Sequence, residues 1–262
     1  DEGRIRECCK TYVDAMRSAF GENALPLYAS KAMSVQRIYQ IMKEENMGVD
    51  VVSPGELYTA VKAGFPMENA YFHGSSKTDE DIRFAMQHKI GFFVCDNADE
   101  LDAIDAEAGK QGICQKILLR LAPGIDPHTH KAIVTGSVDS KFGSAIETGQ
   151  AEEITVFTLA QPHVELMGFH CHVGSQVFDA DVFLRSAAIM LNFVAEMQKR
   201  YGYVTEELDL GGGFGVRYTE EDPVIDYEKW IEQMGKKLRE ICSDRNIPVP
   251  AILLEPGRSI VG

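Results

Sequence analysis

The chain has 262 residues, 45% hydrophobic and 25% charged, enough apolar material to fill the core of one large domain. Its 26 Lys and Arg against 40 Asp and Glu leave a formal net charge of −14, which argues against a general nucleic-acid or anionic-membrane role but leaves room for an anionic small molecule in a local cationic pocket. The six cysteines (Cys8, Cys9, Cys95, Cys114, Cys171 and Cys242) lack CxxC spacing and read as free thiols of a reducing, cytoplasmic compartment, and no apolar run reaches the roughly 18 residues of a spanning helix.

An amphipathic helix over about 4–20 opens the chain. From there, short apolar runs alternate with longer helix-period segments. The predicted strands are 25–29 (LPLYA), 48–52 (GVDVV), 70–73 (AYFH), 91–95 (GFFVC), 116–122 (KILLRLA), 164–171 (VELMGFHC), 206–210 (EELDL) and 251–255 (AILLE). Predicted helices cover 35–45, 55–63, 79–87, 98–107, 181–201 and 227–245. Ser53 is a natural N-cap with Pro54 at the first helical position. Eight strands, each followed by a helical or loop connection, predict an α/β fold of the (β/α)8 TIM-barrel type, with a doubly wound open sheet as the rival.

In such a barrel the active site lies at the C-terminal strand ends. Lys31 follows the first strand, and Asp50 with Ser53 marks the second. His73-Gly74 and Cys95-Asp96 follow, then Arg120, the HCHVGS segment at 170–175, the GGGFG run at 211–215 and the EPGR turn at 255–258. Scattered surface charges would not collect at one rim. Each feature also has a plain reading: Lys31 as a snorkelling surface lysine, EPGR as an ordinary turn, a core histidine as a hydrogen-bonded structural residue. His170 and His172 share a strand face, but no third ligand stands nearby in sequence and Cys171 points the other way, so no metal is expected. The glycine run matches only the first two glycines of a dinucleotide fingerprint, with Val216 at the third position.

Together these parts suit one ligand. The glycine run, Ser175 and the backbone at 257–258 could bind a phosphate, Glu255 a ring nitrogen, and His172 the face of a flat ring, while Lys31 could condense with an aldehyde. That ligand is pyridoxal 5'-phosphate held as a Schiff base.

The segments YASKAM, GVDVVSPGELYTAVKAGFP, YFHGSSKTDEDI, THKAIVTGSVDSKFG, GFHCHVGSQ, LDLGGGFGV and EPGRSI, in this order from about Ile5 to Gly262, resemble the signatures of the diaminopimelate decarboxylase family. That family belongs to the alanine-racemase-like, fold-type III pyridoxal-phosphate enzymes. The resemblance implies that Lys31 carries the cofactor, Glu255 pairs with the pyridine nitrogen and His172 stacks on the ring. It implies that Ser175, Gly212, Gly213, Gly257 and the Arg258 backbone hold the phosphate, that the Arg258 side chain meets substrate, and that Asp50, Glu56 and Arg120 support the lysine and the ring. Met33 departs from the Asn or Phe of many relatives. The implied reaction is decarboxylation of meso-diaminopimelate to L-lysine in a cytoplasmic homodimer, with other fold-type III amino-acid decarboxylases, racemases or a non-catalytic barrel as alternatives. The family also carries a β-rich domain that completes the active site. Residues 1–262 are therefore expected to be the barrel domain alone, with the β-domain segments outside this chain, and to turn over little substrate in isolation.

Overall fold

The computed structural model describes residues 1–125 and 142–262. Strands are β1 (Leu25–Ala29), β2 (Gly48–Val51), β3 (Ala70–Phe72), β4 (Phe92–Cys95), β5 (Gln115–Ala122), β6 (Ser144–Ala145), β7 (Val164–His170), β8 (Glu207–Asp209) and β9 (Ala251–Leu254). Helices are α1 (Glu2–Phe20), α2 (Gln36–Glu44), α3 (Pro54–Lys62), α4 (Asp79–Gln87), α5 (Ala98–Gln111), α6 (Gln150–Leu159), α7 (Ala180–Tyr201), α8 (Tyr227–Arg245) and the four-residue α9 (Arg258–Val261).

All strand pairings are parallel. The order β4-β3-β2-β1-β9-β8-β7-β5 is closed by pairing of β4 with β5, and β6 is a two-residue extension on β5. Closure decides for the barrel over the open sheet. Helix α1 precedes the first strand and packs against β1, α8 and α9.

Strand alternation divides the core in two. Outward residues such as Tyr28, Val49, Phe72, Phe93, Leu119, Phe169 and Ile252 join the helices in one large apolar cluster. Inward residues Leu27, Tyr71, Phe92, Val94, Leu118, Met167 and Leu253 form a second cluster inside the barrel, with the Tyr71 and Phe92 rings stacked at 4.2 Å. Two residues further along the same faces stand His73, Asp96, Arg120 and Glu255, joined by Asp50, His170 and Asp209 from β2, β7 and β8. Apolar packing thus fills the lower barrel, and a polar layer sits above it at the rim.

Helix and strand positions match the sequence expectations closely, and Ser53 caps α3 through Glu56 N as its position predicts. Helix α6 was not anticipated. Its Ile-Thr-Val-Phe-Thr segment lacks an amphipathic period, and it starts at Gly149 with no side-chain cap. Helix α5 runs four residues past the predicted end because Gly109 leaves room for the His163 ring, and it stops at Gly112 in the left-handed region. The motif residues 129–141 lie outside the described residues.

Leu118 is fully buried at the centre of the inner cluster. Leu118→Ala is expected to destabilise the protein by about 2–5 kcal/mol in chemical denaturation; a loss below about 1 kcal/mol would mean that the inner cluster is not close-packed.

Candidate active site

Lys31 sits in the single 3-10 turn Ser30–Ala32 that leaves β1. Its side chain is 54% exposed and its Nζ lies 3.9 Å from Asp50 Oδ2. The lysine therefore hangs over the barrel mouth, while the acid facing it is buried at 1% exposure.

Beneath the lysine a set of ionisable side chains is buried. His73 Nε2 lies 3.7 Å from Asp50 Oδ1 and 2.9 Å from Glu255 Oε1. His170 Nε2 lies 3.4 Å from the same Glu255 oxygen, and the two imidazoles meet edge to face at 4.8 Å. Asp209 is fully buried, with Oδ1 accepting from Gly211 N at 2.8 Å. Burial alone would push Glu255 up, but His73 and His170 outweigh it and hold its carboxyl well below the usual range. Burial pushes Asp209 well up, with the Glu255 charge adding to it, so the two carboxyls are pushed in opposite directions. Asp50 is also raised, by burial first, with His73 opposing. Burial lowers His170 to about 4, against the pull of Glu255.

His73, His170, Asp209 and Glu255 bring one donor atom each within 4.8 Å of one another, so the barrel supplies the neighbours that the sequence around His170 did not show. Donors on a tetrahedral ion stand roughly 3.3 Å apart, given metal bonds of about 2.0–2.2 Å. The 2.9 Å approach of His73 to Glu255 is the spacing of an acid–imidazole pair.

His172 follows β7, and its Nδ1 accepts from Gly212 N at 3.3 Å. Burial of the ring, together with the nearby Lys31 charge, pushes it well below the ordinary imidazole range, so it presents a neutral flat ring. Cys171 faces away, its Sγ 3.3 Å from Ser186 Oγ on α7. The glycine run lies directly against two other loops. A Cβ on Gly212 would fall 1.9 Å from Glu255 O, and one on Gly213 1.9 Å from Gly174 O. Gly213 also has φ +99, a conformation that side chains rarely adopt. No helix follows until α8, as expected for a run that is not a dinucleotide fingerprint.

Arg120 Nε stands 3.8 Å from Asp96 Oδ1, with its guanidinium 4.4 Å over the Phe142 ring. Arg258, exposed, donates to Tyr218 Oη at 2.8 Å. Glu56 accepts from Val52 N at 2.7 Å and so completes the cap of α3 from the side of β2. Two adjoining cavities of about 450 and 360 Å³ share Lys31, His172, Ser175 and Glu255 as walls. The first adds Met33, Gly213, Gly257 and Arg258; the second adds His73, Arg120 and His170.

A family model described as pyridoxal-dependent decarboxylase, pyridoxal binding domain, matches residues 3–262. The chain belongs to that family. Diaminopimelate decarboxylase of Bacillus subtilis (strain 168) is 42% identical over 262 residues, a match covering all of this chain and 60% of the relative. The Staphylococcus aureus (strain COL) protein of the same name is 39% identical over 265 residues, with the same two coverages. The crystal structure of diaminopimelate decarboxylase from M. jannaschii superposes with a TM-score of 0.88 at 30% identity, covering 100% of this chain and 60% of that one. The Helicobacter pylori enzyme complexed with L-lysine gives 0.86 at 29% identity, covering 100% and 63%. The chain is a diaminopimelate decarboxylase-like, pyridoxal-phosphate-binding barrel domain, and it spans about 60% of the length of these relatives.

The geometry fits such a decarboxylase cofactor site on independent grounds. Glycine loops against which no Cβ could stand leave backbone open to a phosphate, and the buried Glu255 anion borders the cavity that Lys31 overhangs. The residues expected to hold the cofactor stand at this rim, whereas Ser53 and Glu56 are spent on the helix cap and Cys95 is buried in the outer apolar cluster. His73 and His170 were visible at strand ends, but only as structural histidines. Asp209 lay hidden in the apolar LDL context of β8. Lys77 also escaped notice. It is a buried cation donating to Gly74 O at 2.7 Å, Val94 O at 2.9 Å and Glu100 Oε1 at 2.7 Å, and so pins the turn that carries His73.

His170 gives a pH prediction. Its folded pKa of about 4 lies below the ordinary 6.5, so its contribution is intact above pH 6.5 and fades as the pH falls toward 4, because the unfolded chain takes the proton first. That depression is worth about 3 kcal/mol. The melting temperature is expected to fall over this window, and His170→Gln to fall less steeply; parallel curves would show that the imidazole is not held neutral.

Proposed function

We propose that the full-length protein, as a cytoplasmic homodimer, removes the α-carboxylate from the D-centre of meso-diaminopimelate, giving L-lysine and carbon dioxide at the last step of lysine biosynthesis. The observation that carries this reading is the convergence of Lys31, the buried Glu255 anion and the glycine loops on one cavity, in a chain whose relatives at about 40% identity are diaminopimelate decarboxylases. Bound pyridoxal phosphate supplies an electron sink for the pair left behind when a carboxylate departs.

The chain's own residues divide the remaining work. Lys31 would hold the aldehyde carbon at the rim and yield it to the substrate amine. Glu255, kept anionic by its imidazoles, would face the ring nitrogen and keep a proton on it. A neutral His172 would stack on the ring without adding a competing charge. Backbone amides of Gly212, Gly213, Gly257 and Arg258, with the Ser175 hydroxyl, would hold the phosphate. The Arg258 side chain, on the exposed side of the cavity, would meet a substrate carboxylate. Asp50 and Arg120 would frame the lysine and the ring edge. An inactive relative would not need to keep Lys31, Glu255 and the glycine run together.

Added pyridoxal phosphate is expected to give a visible absorption band that borohydride bleaches and that is absent in Lys31→Ala; no Lys31-dependent band would remove this reading. Carbon dioxide release should be seen with meso-diaminopimelate and not with lysine, arginine or ornithine as substrate, whereas turnover of one of those amino acids instead would move the assignment to another decarboxylase of the group. Glu255→Gln is expected to lower turnover at least tenfold while cofactor binding stays within a few-fold, since a neutral partner still accepts a hydrogen bond but no longer holds the ring proton. Equal losses in both would sink that division of roles.

A further inference from the structure

Three carboxyls and two imidazoles share the buried layer below Lys31, and their contacts are unequal. Among the described residues, His170 reaches one acid, Glu255, at 3.4 Å. His73 reaches two acids from different strands, Glu255 at 2.9 Å and Asp50 at 3.7 Å. Asp50 in turn is the acid that faces Lys31, at 3.9 Å. A continuous line of ionisable groups therefore runs from Lys31 through Asp50 and His73 to Glu255.

We propose that His73 is a positioning residue that bridges the buried carboxylates of Asp50 and Glu255, tying the lysine end of the cofactor site to its ring-nitrogen end. The proposal rests on the cofactor-site reading above. Its physical basis is that two acids in one dry layer repel each other, and each unpaired buried charge is costly. A single imidazole between them offsets both and fixes their separation. The bridge is itself held rigid. His73 N donates to Val51 O at 2.8 Å, the next residue is Gly74 at φ +105, and the carbonyl of Gly74 is gripped by the buried Lys77. A histidine that merely filled space would not need its backbone fixed on both sides and its ring nitrogen within 2.9 Å of an acid.

The imidazole acts through Glu255, so removing it should cost nothing further once Glu255 has lost its charge. Four variants of the full-length protein test this: His73→Phe, which keeps the ring volume but neither nitrogen, His73→Gln, whose amide can still donate to two acceptors, Glu255→Gln, and His73→Phe combined with Glu255→Gln. His73→Phe is expected to lower turnover about tenfold, on the scale of one lost hydrogen bond to a buried charge, and to move the absorption maximum of the bound cofactor in the same direction as Glu255→Gln. The double variant should fall within about twofold of Glu255→Gln in both readouts, and His73→Gln within about threefold of wild type. Multiplicative losses in the double variant, an unmoved absorption maximum in His73→Phe, or equal damage from Gln and Phe would each overturn the bridge. Should the phenyl ring prevent folding, His73→Ala carries the same cycle. A wild-type protein without a Lys31-dependent band would overturn the underlying cofactor site as well, whereas a shifted Glu255→Gln beside an unchanged His73→Phe overturns the bridge alone.

Discussion

A carboxylate buried in a barrel is tolerable only if the barrel also supplies it with polar partners, and Glu255 is such a carboxylate. Transferring an unpaired acid from water to an apolar interior would shift its pKa upward until it held a proton. Here the opposite happens, because His73 and His170 stand at 2.9 and 3.4 Å from one of its oxygens. The neighbouring Asp209 takes the opposite course and is pushed up instead. Ionisation of one buried carboxyl opposes ionisation of its neighbour, and the surroundings decide which is favoured.

Closure of the barrel makes this arrangement possible. Asp50, His73, His170, Asp209 and Glu255 come from five different strand ends. Period-two alternation sends each of them inward, to the same side of the sheet as the apolar plug of Leu27, Tyr71, Phe92, Leu118 and Leu253. A one-residue slip of any strand would turn its polar group outward into the packed helices. The parallel register therefore does more than stabilise the sheet, because it sets the composition of the rim. The loops above the rim obey a second constraint. Gly212 and Gly213 pass so close to the backbone of Glu255 and Gly174 that no side chain fits, and this close approach keeps backbone amides beside the cavity.

Much of this was legible in the sequence. Eight strands were placed to within a residue or two because each is a short apolar run bounded by polar turns, and the helices because their apolar faces recur at helical spacing. Lys31, Glu255 and the glycine loops declared themselves by being out of character in their apolar surroundings. The buried partners did not. Asp209 reads as a polar residue between two leucines, and Lys77 as one charge in a charged loop, because their significance comes from contacts with strands far away in the chain. Helix α6 was missed for a different reason. Its residues favour strand by propensity, and only packing between β5 and β7 makes it a helix.

The distribution of exposure at the site carries its own argument. Asp50, His73, His170, Asp209 and Glu255 are buried, each held by strand backbone, whereas Lys31 and Arg258 are exposed on short helical turns at the mouth. Groups that must keep a fixed charge gain from burial, since a rigid, low-dielectric setting strengthens every contact they make. A lysine that must exchange its bond for a substrate amine needs room to swing away and return, and a residue meeting substrate must be reachable from solvent. A buried Lys31 would be slow to release what it holds, and an exposed Glu255 would lose its grip on a ring proton to water. The fold separates the two demands by height within a few ångströms, with the fixed electrostatics locked in the barrel and the exchanging groups on its lip.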